Sequence, residues 1–264
     1  MRYLESKNKH NRDELLMFDE IKHQYYFYDT RQNPVLYTPA VSSTTLIHSL
    51  FPKFDSDQII DDMMRSSNWE KNKYYPMTKQ QIKEKWSMNS KDAMMQGTKL
   101  HEDIESYLNY ECISNKSIEF QYFLNFIRDN HLTVYRTEWK IFDEDSGIAG
   151  TIDCCCVNSY GEYILYDWKR SKEIKRTNDF KKKYSHQSFL SHLEDVNFNH
   201  YSLQLNLYKY ILEKNYGCKV SELYLVVLHP DNSNKNYITV HVPDLKKEIK
   251  NIIQDRKINE SKLE

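Results

Sequence analysis

Residues 147–169 read GIAGTIDCCCVNSYGEYILYDWK, and both the predicted fold and the predicted chemistry depend on them. Two β-prone segments flank a short turn that ends at Gly161. The last position of a three-residue hairpin loop needs a positive φ, which glycine adopts without strain. The sequence therefore predicts a β-hairpin in which Asn158 pairs with Glu162. Gly150 leaves room on the first strand for a backbone or a phosphate to approach.

The register of this hairpin brings acidic side chains together. Counted back from the turn, Asp153 faces Asp167 with Cβ atoms about 5 Å apart, and Lys169 emerges on the same face. Two carboxylates this close repel unless a cation or a shared proton intervenes. A hard divalent ion, Mg²⁺ or Mn²⁺, suits them, and the lysine suits metal-assisted phosphodiester hydrolysis. An acidic pair on a solvated hairpin edge is the alternative, since a slip of one residue would separate the aspartates.

The composition excludes several classes of protein. The chain has 264 residues and a net charge of -1, which argues against a strongly basic nucleic-acid coat. Aromatic residues make up 14% of it, which argues against disorder. No segment approaches the roughly 20 consecutive apolar residues of a membrane span. Residues 1–14 lack the apolar segment of a signal peptide, and their acids argue against a transit peptide. We expect an intracellular protein, of the cytoplasm or the nucleoid or nucleus, without a membrane partner and with free thiols.

The rest of the chain divides by its hydrophobic period. A period near 3.6 predicts helices and strict alternation predicts strands. Helices are expected at 44–50 after a cap at Ser42 or Ser43, after caps at Asp55 and Thr78, and at 90–109, 117–129 and 200–215. Strands are expected at 133–142, 147–157, 162–168, 223–228 and 237–242, with a hairpin over 23–38. These elements predict one α/β domain with a central mixed β-sheet, flanking helices and a helical N-terminal elaboration.

Further chemistry-bearing residues lie on elements outside the 147–169 hairpin. One predicted helix places His101 and Glu105 on the same face, because residues four apart are neighbours on a helix. The acidic side chain of Glu138 ends the charged side of the strand that precedes the hairpin. Gln204 and Tyr208 share the face of a later helix at the same spacing.

These residues form an ordered series of motifs along the chain. The motifs are GTKLH at 97–101, Glu138, GTID at 150–153, DWK at 167–169 and QLNLY at 204–208. In this order they resemble the PD-(D/E)XK nuclease superfamily, and most closely its RecB-type branch, which includes exonuclease V and the mitochondrial genome maintenance exonuclease. The resemblance covers roughly residues 95–230 and implies a restriction-endonuclease-like core.

The resemblance also implies a role for each matched residue. By that resemblance the metal ligands are His101, Asp153 and Asp167, binding one or two Mg²⁺ or Mn²⁺ ions. Lys169 is then the catalytic lysine, and Glu138 has a supporting role. Gln204 and Tyr208 would shape the site and contact the DNA backbone.

The chain departs from some members of that branch in its cofactors. Only Cys112 precedes the core motifs that begin at Glu138, and only Cys218 follows them, so we expect no iron–sulfur cluster. A GxxxxGK(S/T) motif is missing from the sequence, so we expect no ATP site. The expected single nuclease domain divides into an N-terminal hairpin with a helical cap or arch (1–95), a core (96–245) and a C-terminal helix or tail (246–264).

Basic residues crowd the segment that follows the DWK motif. The predicted nucleic-acid contacts are Arg170, Lys172, Lys175, Arg176, Lys181, Lys182 and Lys183. Because the run begins at Lys169, we expect it to line a groove that tracks phosphates, with a solvated charged loop as the alternative. Residues 55–95 are rich in aromatic and methionine side chains. They are predicted either to arch over the site and stack bases of a single strand or to form an ordinary packed layer.

The expected activity is that of a metal-dependent deoxyribonuclease that hydrolyses phosphodiester bonds. A single-strand exonuclease of DNA replication, repair or recombination is favoured, with DNA ends and replication or repair proteins as partners. Two alternatives stay open. One is an endonuclease of the same fold that acts on structured or specific DNA, and the other is an inactive nuclease-fold module that binds DNA in a repair assembly.

Overall fold

Eight strands form one mixed β-sheet in this computed structural model, which describes residues 2–29, 36–178 and 182–260. The strands are β1 (Leu16–Asp19), β2 (Gln24–Asp29), β3 (Leu36–Ser42), β4 (Val134–Asp143), β5 (Ile148–Val157), β6 (Tyr163–Lys169), β7 (Val220–Val227) and β8 (Ile238–His241). Their order is β1-β2-β3-β5-β6-β7-β8, and β4 lies off this path and pairs with β5. The β3–β5 and β6–β7 pairs are parallel and the others antiparallel, so the predicted mixed sheet is confirmed.

Helices cover both faces of the sheet, as expected for this fold class. They are α1 (Tyr3–Lys7), α2 (Ser43–Ser49), α3 (Ser56–Met64), α4 (Lys79–Leu108), α5 (Ile118–Asn130), α6 (Asn197–Asn215) and α7 (Lys246–Glu260). On one face, α2, α6 and α7 bury an apolar cluster that includes Trp139 and Ile152. On the other face, α4 and α5 bury a second cluster that includes Phe123 and Trp168. The sheet is thus the middle layer of three.

Three predicted helix caps are present. The side chains of Ser42, Asp55 and Thr78 each accept a hydrogen bond from the backbone N–H three residues later, at 3.0–3.3 Å. Such bonds satisfy donors at a helix start that lack an intrahelical partner. The cap residues therefore fix where α2, α3 and α4 begin.

Residues 79–108 form one helix instead of the two predicted. This helix, α4, is 30 residues long and contains no proline and a single glycine, so nothing interrupts its hydrogen bonds. Its residues 87–95 are exposed on every side, which is why hydrophobic periodicity is lost there. The helix also passes through position 95, the predicted boundary between the N-terminal elaboration and the core.

The β5–β6 hairpin has the predicted register. Cys154 pairs with Tyr166, and the Asn158 N–H donates to the Glu162 carbonyl at 2.9 Å. Gly161 has a φ of +75°, as the loop requires. The register therefore follows from local turn chemistry, and it sets the positions of all residues on these two strands.

The N-terminal strap, residues 2–15, crosses β4 and the end of α4. Leu4 is 3% exposed, and its N–H donates to Asn109 Oδ1 at 2.9 Å. Asp13 accepts hydrogen bonds from Arg136 at 2.8 Å and from the Trp139 indole at 3.1 Å. These partners are more than 100 positions apart in sequence. Local patterns could not predict the strap for that reason.

The N-terminal strands extend the sheet. The hairpin predicted over residues 23–38 is present as the antiparallel pair β2–β3, while its turn, residues 30–35, lies outside the described residues. Strand β1, which the sequence analysis did not predict, pairs with β2. Within the described ranges, no helix has the length and apolar character needed to cross a membrane.

Replacing Leu4 with alanine tests whether the strap belongs to the folded unit. We expect Leu4→Ala to lower the free energy of unfolding in urea by about 2–5 kcal/mol, because it empties a buried site. Tyr3→Ala is the neighbouring control, since Tyr3 is 50% exposed. Equal losses in the two variants would show that the strap is not packed as described.

Candidate active site

Three potential metal ligands from three different elements converge beside β6. They are His101 of α4, Glu138 of β4 and Asp153 of β5, whose ligand atoms all lie within 4.8 Å of one another. His101 Nδ1 is 3.6 Å from an oxygen of each carboxylate. Its other nitrogen, Nε2, lies 3.0 Å from the carbonyl oxygen of Trp168, which fixes the orientation of the ring.

Glu138 reaches this group through a break in strand alternation. Its φ of +44° is left-handed, a conformation that costs a non-glycine residue roughly 1–3 kcal/mol. Thr137 and Trp139 consequently lie on opposite faces, the first hydrogen-bonded to Asn109 just after α4 and the second packed beneath α6. Strand β5 changes face at the same level, since Ile152 and Cys154 belong to opposite apolar clusters. Strict alternation therefore fails in both strands at the site itself.

The charges of this group depend on one another. Burial alone would lower the pKa of His101, but the carboxylates of Asp153 and Glu138 outweigh it and raise that pKa to about 9. Burial raises the pKa of Asp153, and His101 opposes that rise. The imidazole is thus protonated at neutral pH and serves as the counter-charge of two carboxylates, a role that a bound cation would take over.

Asp167 and Lys169 form an ion pair next to this group. Lys169 Nζ lies 2.6 Å from Asp167 Oδ2 and 4.3 Å from the centre of the Tyr201 ring. Burial raises the pKa of Asp167 to about 6, against the opposing effect of Lys169. Burial disfavours the charged lysine, but Asp167 and Asp153 raise the pKa of Lys169. The Trp168 N–H between them donates to Asp153 Oδ2 at 2.8 Å and so ties the pair to the ligand group.

The group that the structure brings together differs by one member from the predicted ligand set. Asp167, expected as a ligand, pairs with Lys169, whereas Glu138, expected in a supporting role, joins His101 and Asp153. The register of the β4–β5 hairpin puts Glu138 level with Asp153. The sequence could have indicated that Glu138 is a ligand, because an acid on the strand before the hairpin can lie level with Asp153.

Gln204 and Tyr208 lie where the predicted helix face places them. Gln204 Nε2 donates to the Tyr208 hydroxyl at 2.8 Å and to Thr44 Oγ1 at 3.3 Å. The Ser43 hydroxyl donates to the Tyr208 hydroxyl at 3.0 Å. Burial raises the pKa of Tyr208 well above its usual value, so the phenol stays neutral. Sequence patterns did not identify Ser43 and Thr44 as part of this arrangement, since they belong to a distant helix, α2.

Gly150 is required by the Tyr208 ring. A Cβ atom at Gly150 would lie 2.5 Å from Tyr208 Cε1 and 2.8 Å from Ser43 Oγ. The small residue predicted to admit a backbone or a phosphate therefore admits an aromatic side chain of α6. By contrast, a Cβ atom at Gly97 would meet nothing within 4 Å.

The basic segment after β6 is partly neutralised by carboxylates. The Arg170 guanidinium pairs with Glu119 at 2.7 Å, and Lys172 Nζ pairs with Asp231 at 3.0 Å. Lys175 Nζ lies 4.0 Å from Glu173, and the Arg176 guanidinium stacks on Phe198 at 3.9 Å. Lys182 is exposed, Lys183 is half-buried and Lys181 lies outside the described residues. The groove wall remains a prediction, with fewer available charges than the sequence suggests.

The aromatic residues of the N-terminal elaboration pack against one another. The ring centre of Trp86 lies 6.0 Å from that of Tyr74 and 6.2 Å from that of Phe54. Ile60 of α3 and Ile82 of α4 are fully buried. This small core favours the packed layer for these side chains. The exposed span 87–95 of α4 separates it from the main body, so the arch stays a prediction.

Comparison with known proteins finds likeness among solved structures. No family model and no curated protein matches the chain. The chain is similar to the crystal structure of SSO0001, with 16% identity and a TM-score of 0.29 over 53% of this chain and 58% of that one. It is also similar to an alkaline exonuclease from Laribacter hongkongensis (10% identity, TM-score 0.32, 81% of this chain and 90% of that one) and to a putative exonuclease from Eubacterium rectale (12%, 0.27, 60% and 70%). Both identities and TM-scores are low, so support for a function comes from the site geometry.

Gly150→Ala tests the contact between β5 and α6. We expect it to lower the free energy of unfolding by about 1–3 kcal/mol, because the added methyl group overlaps the Tyr208 ring. Gly97→Ala is the matched control and should raise the free energy of unfolding by about 0.5–1 kcal/mol, since Gly97 lies in a helix with open space beside it. Urea denaturation measures both, and similar effects of the two changes would contradict the close approach.

Proposed function

We propose that this chain is a divalent-metal-dependent nuclease of the PD-(D/E)XK superfamily, in its RecB-type branch, that hydrolyses phosphodiester bonds in DNA. The observation that carries the proposal is the convergence of His101, Glu138 and Asp153 within 4.8 Å, with the ammonium of Lys169 on the adjoining strand. A nitrogen donor, two carboxylates and a nearby buried cation are the parts that phosphodiester hydrolysis needs. The ordered motifs of the sequence support the same family.

The three converging side chains fit a hard divalent cation. They offer one imidazole nitrogen and two carboxylate oxygens, a donor set compatible with Mg²⁺ or Mn²⁺. When bound, such an ion stabilises negative charge on a phosphate and lowers the pKa of bound water. Asp167, with a pKa of about 6, is a further oxygen donor that a second ion could use.

The remaining site residues position groups and supply charge. Lys169 stays protonated beside Asp167 and can orient a water or offset charge on a phosphate. Trp168 holds Asp153 through its backbone N–H, which keeps the carboxylate directed at His101. Tyr208 of α6 packs against Gly150, three residues before Asp153 on β5.

The substrate that we propose is single-stranded DNA, degraded from an end in replication, repair or recombination. Two surfaces support it. The side chains of Met88, Met94 and Met95 on the free span of α4 are 64–70% exposed and offer apolar contacts to unstacked bases. Arg176 and Lys182, near the N-terminal end of α6, offer positive charge without an ion pair among the described residues.

Loss of Asp153 or Lys169 tests the mechanism. We expect Asp153→Asn and Lys169→Met each to reduce the rate of oligonucleotide hydrolysis in Mg²⁺ or Mn²⁺ by roughly 10²–10³-fold. Removal of one group that stabilises transition-state charge has an effect of this size in other enzymes. Chelator should abolish hydrolysis by the unchanged protein. Glu162→Gln and Lys219→Met are matched controls, because this ion pair lies at the turn end of the β5–β6 hairpin and has no assigned role in the site. Hydrolysis by Lys169→Met at the control rate would falsify the assigned role.

Manganese binding separates the ligand role of Glu138 from any effect on catalysis. Titration calorimetry should show that Glu138→Gln binds Mn²⁺ roughly tenfold or more weakly. Loss of a group that only supports a ligand already has an effect of this size, and loss of a ligand should cost at least as much. Glu84→Gln is the control, since Glu84 is exposed on α4. An unchanged affinity in Glu138→Gln would show that Glu138 is not a metal ligand and has only a supporting role.

Charge reversal tests the basic segment. The double change Lys182→Glu and Lys183→Glu should weaken single-strand binding and lower the slope of log affinity against log salt by about 0.7 per lost phosphate contact. The same reversal at Lys247 and Lys250, exposed on α7, is the control. An unchanged slope in the first variant would mean that the segment is a solvated loop.

A further inference from the structure

The ring of Tyr201 on α6 lies against the ammonium of Lys169 on β6. Lys169 Nζ is 4.3 Å from the centre of that ring, well within the roughly 6 Å over which a cation and an aromatic face attract each other. The same Nζ is 2.6 Å from Asp167 Oδ2. The ammonium therefore has two partners, a carboxylate of its own strand and an aromatic face of a helix.

A lysine side chain needs more than one contact to hold its ammonium in place. Its stem of four methylene groups is flexible, and the charge at its end has no preferred direction. The pair of Lys169 with Asp167 is largely shielded, since the two side chains are 17% and 4% exposed. Attraction between a cation and a ring is stronger in such a setting than at the surface. The Tyr201 ring thus restricts an ammonium that Asp167 alone would leave free to turn.

The position of Tyr201 is fixed by the packing of α6 against the sheet. Tyr201 is half-buried and packs against the apolar cluster that α2, α6 and α7 cover. It precedes Gln204 by three positions and Tyr208 by seven, so the three side chains lie on one face of α6. Tyr208 packs in turn against Gly150 of β5. The ring that contacts Lys169 is therefore carried by an anchored helix face.

Aromatic faces of α6 contact two cations of the chain that follows β6 or ends it. The ring of Phe198 lies 3.9 Å from the Arg176 guanidinium, and Tyr201 follows Phe198 by three positions on the same helix. A ring offers a cation a negative face without offering an oxygen ligand to a metal ion. A carboxylate at position 201 would also attract the Lys169 ammonium, but it would add an oxygen donor near the metal-ligand group.

We infer that Tyr201 is a positioning residue of the proposed hydrolysis, because its ring holds the Lys169 ammonium where the lysine acts. The inference rests on the proposed function and deepens it, since it adds a residue outside the ordered motifs. In this role Tyr201 contacts neither the DNA nor a metal ion. Its loss therefore affects the chemical step rather than the binding of substrate.

Removal of the aromatic face tests this inference. We expect Tyr201→Leu to lower kcat for oligonucleotide hydrolysis in Mn²⁺ by roughly 5–30-fold, the effect of losing a shielded contact between a cation and a ring, and to change KM by less than about twofold. Tyr201→Phe keeps the face and should restore most of the lost rate. Tyr210→Leu is the matched control, because Tyr210 is half-buried on the same helix and its ring centre lies 5.8 Å from another ammonium, that of Lys214.

The Lys169→Met background shows whether Tyr201 acts through the lysine. If it does, adding Tyr201→Leu to Lys169→Met should cause no further loss of rate, since the contact is already absent. Losses that multiply, or a raised KM at an unchanged kcat, would show that Tyr201 acts by itself and would overturn the inference. A loss in Tyr201→Phe as large as in Tyr201→Leu overturns it as well, because the hydroxyl group would then be the active part.

Proton NMR of the lysine side chains in chelator separates this inference from the proposed function. A ring shields protons near its face, so the ε-methylene signal of Lys169, identified by its loss in Lys169→Met, should lie upfield of its usual position. The displacement should persist in Tyr201→Phe and vanish in Tyr201→Leu. A signal at the usual position overturns the inference whatever the activity. A displaced signal in a protein that hydrolyses DNA in no metal overturns the nuclease assignment and leaves the contact standing.

Discussion

The left-handed backbone of Glu138 is the constraint on which the site depends. It costs roughly 1–3 kcal/mol, and packing on both sides holds it in place. Trp139 is fully buried under α6, and Thr137 accepts a hydrogen bond from Asn109, the residue that follows α4. Regular alternation at this point would turn one of these two neighbours toward the wrong layer. The strained residue instead sets its carboxylate beside Asp153, where both face the imidazole of His101. The two apolar layers thereby position a polar group between them.

Features that arise from neighbouring residues could be predicted from the sequence. The caps of α2, α3 and α4 and the register around Gly161 follow from hydrogen bonds within a few positions. The strap could not be predicted, because Leu4 and Asp13 find partners more than 100 positions away. The change of face at Glu138 also escaped prediction, since alternation is the assumption that such a prediction uses. Sequence reasoning thus named all three members of the group, but it gave Glu138 a supporting role and did not foresee that its side chain lies beside His101 and Asp153.

The basic segment after β6 likewise could not be judged from local sequence, because its charged side chains have partners from distant parts of the chain. The run after β6 was counted as a block of positive charge, yet Arg170 is bound to Glu119 of α5 and Lys172 to Asp231 after β7. The Arg170–Glu119 pair is largely shielded from solvent and fixes the path of the segment, and both pairs leave less charge for a ligand.

The ligand group and the cavity beside it are built from different elements of the fold. The ligand group is built from α4, β4 and β5, which belong to the central layer and its cover, whereas the cavity walls need β1, β2 and the strap in addition. Changes in the N-terminal strands can therefore alter what enters the site without moving His101, Glu138 or Asp153. In the proposed scheme the core supplies hydrolysis, and the N-terminal strands form part of the wall beside the ligand group. Because the strap is fixed by ion pairs to both α4 and β4, the shape of that wall is coupled to the stability of the fold itself.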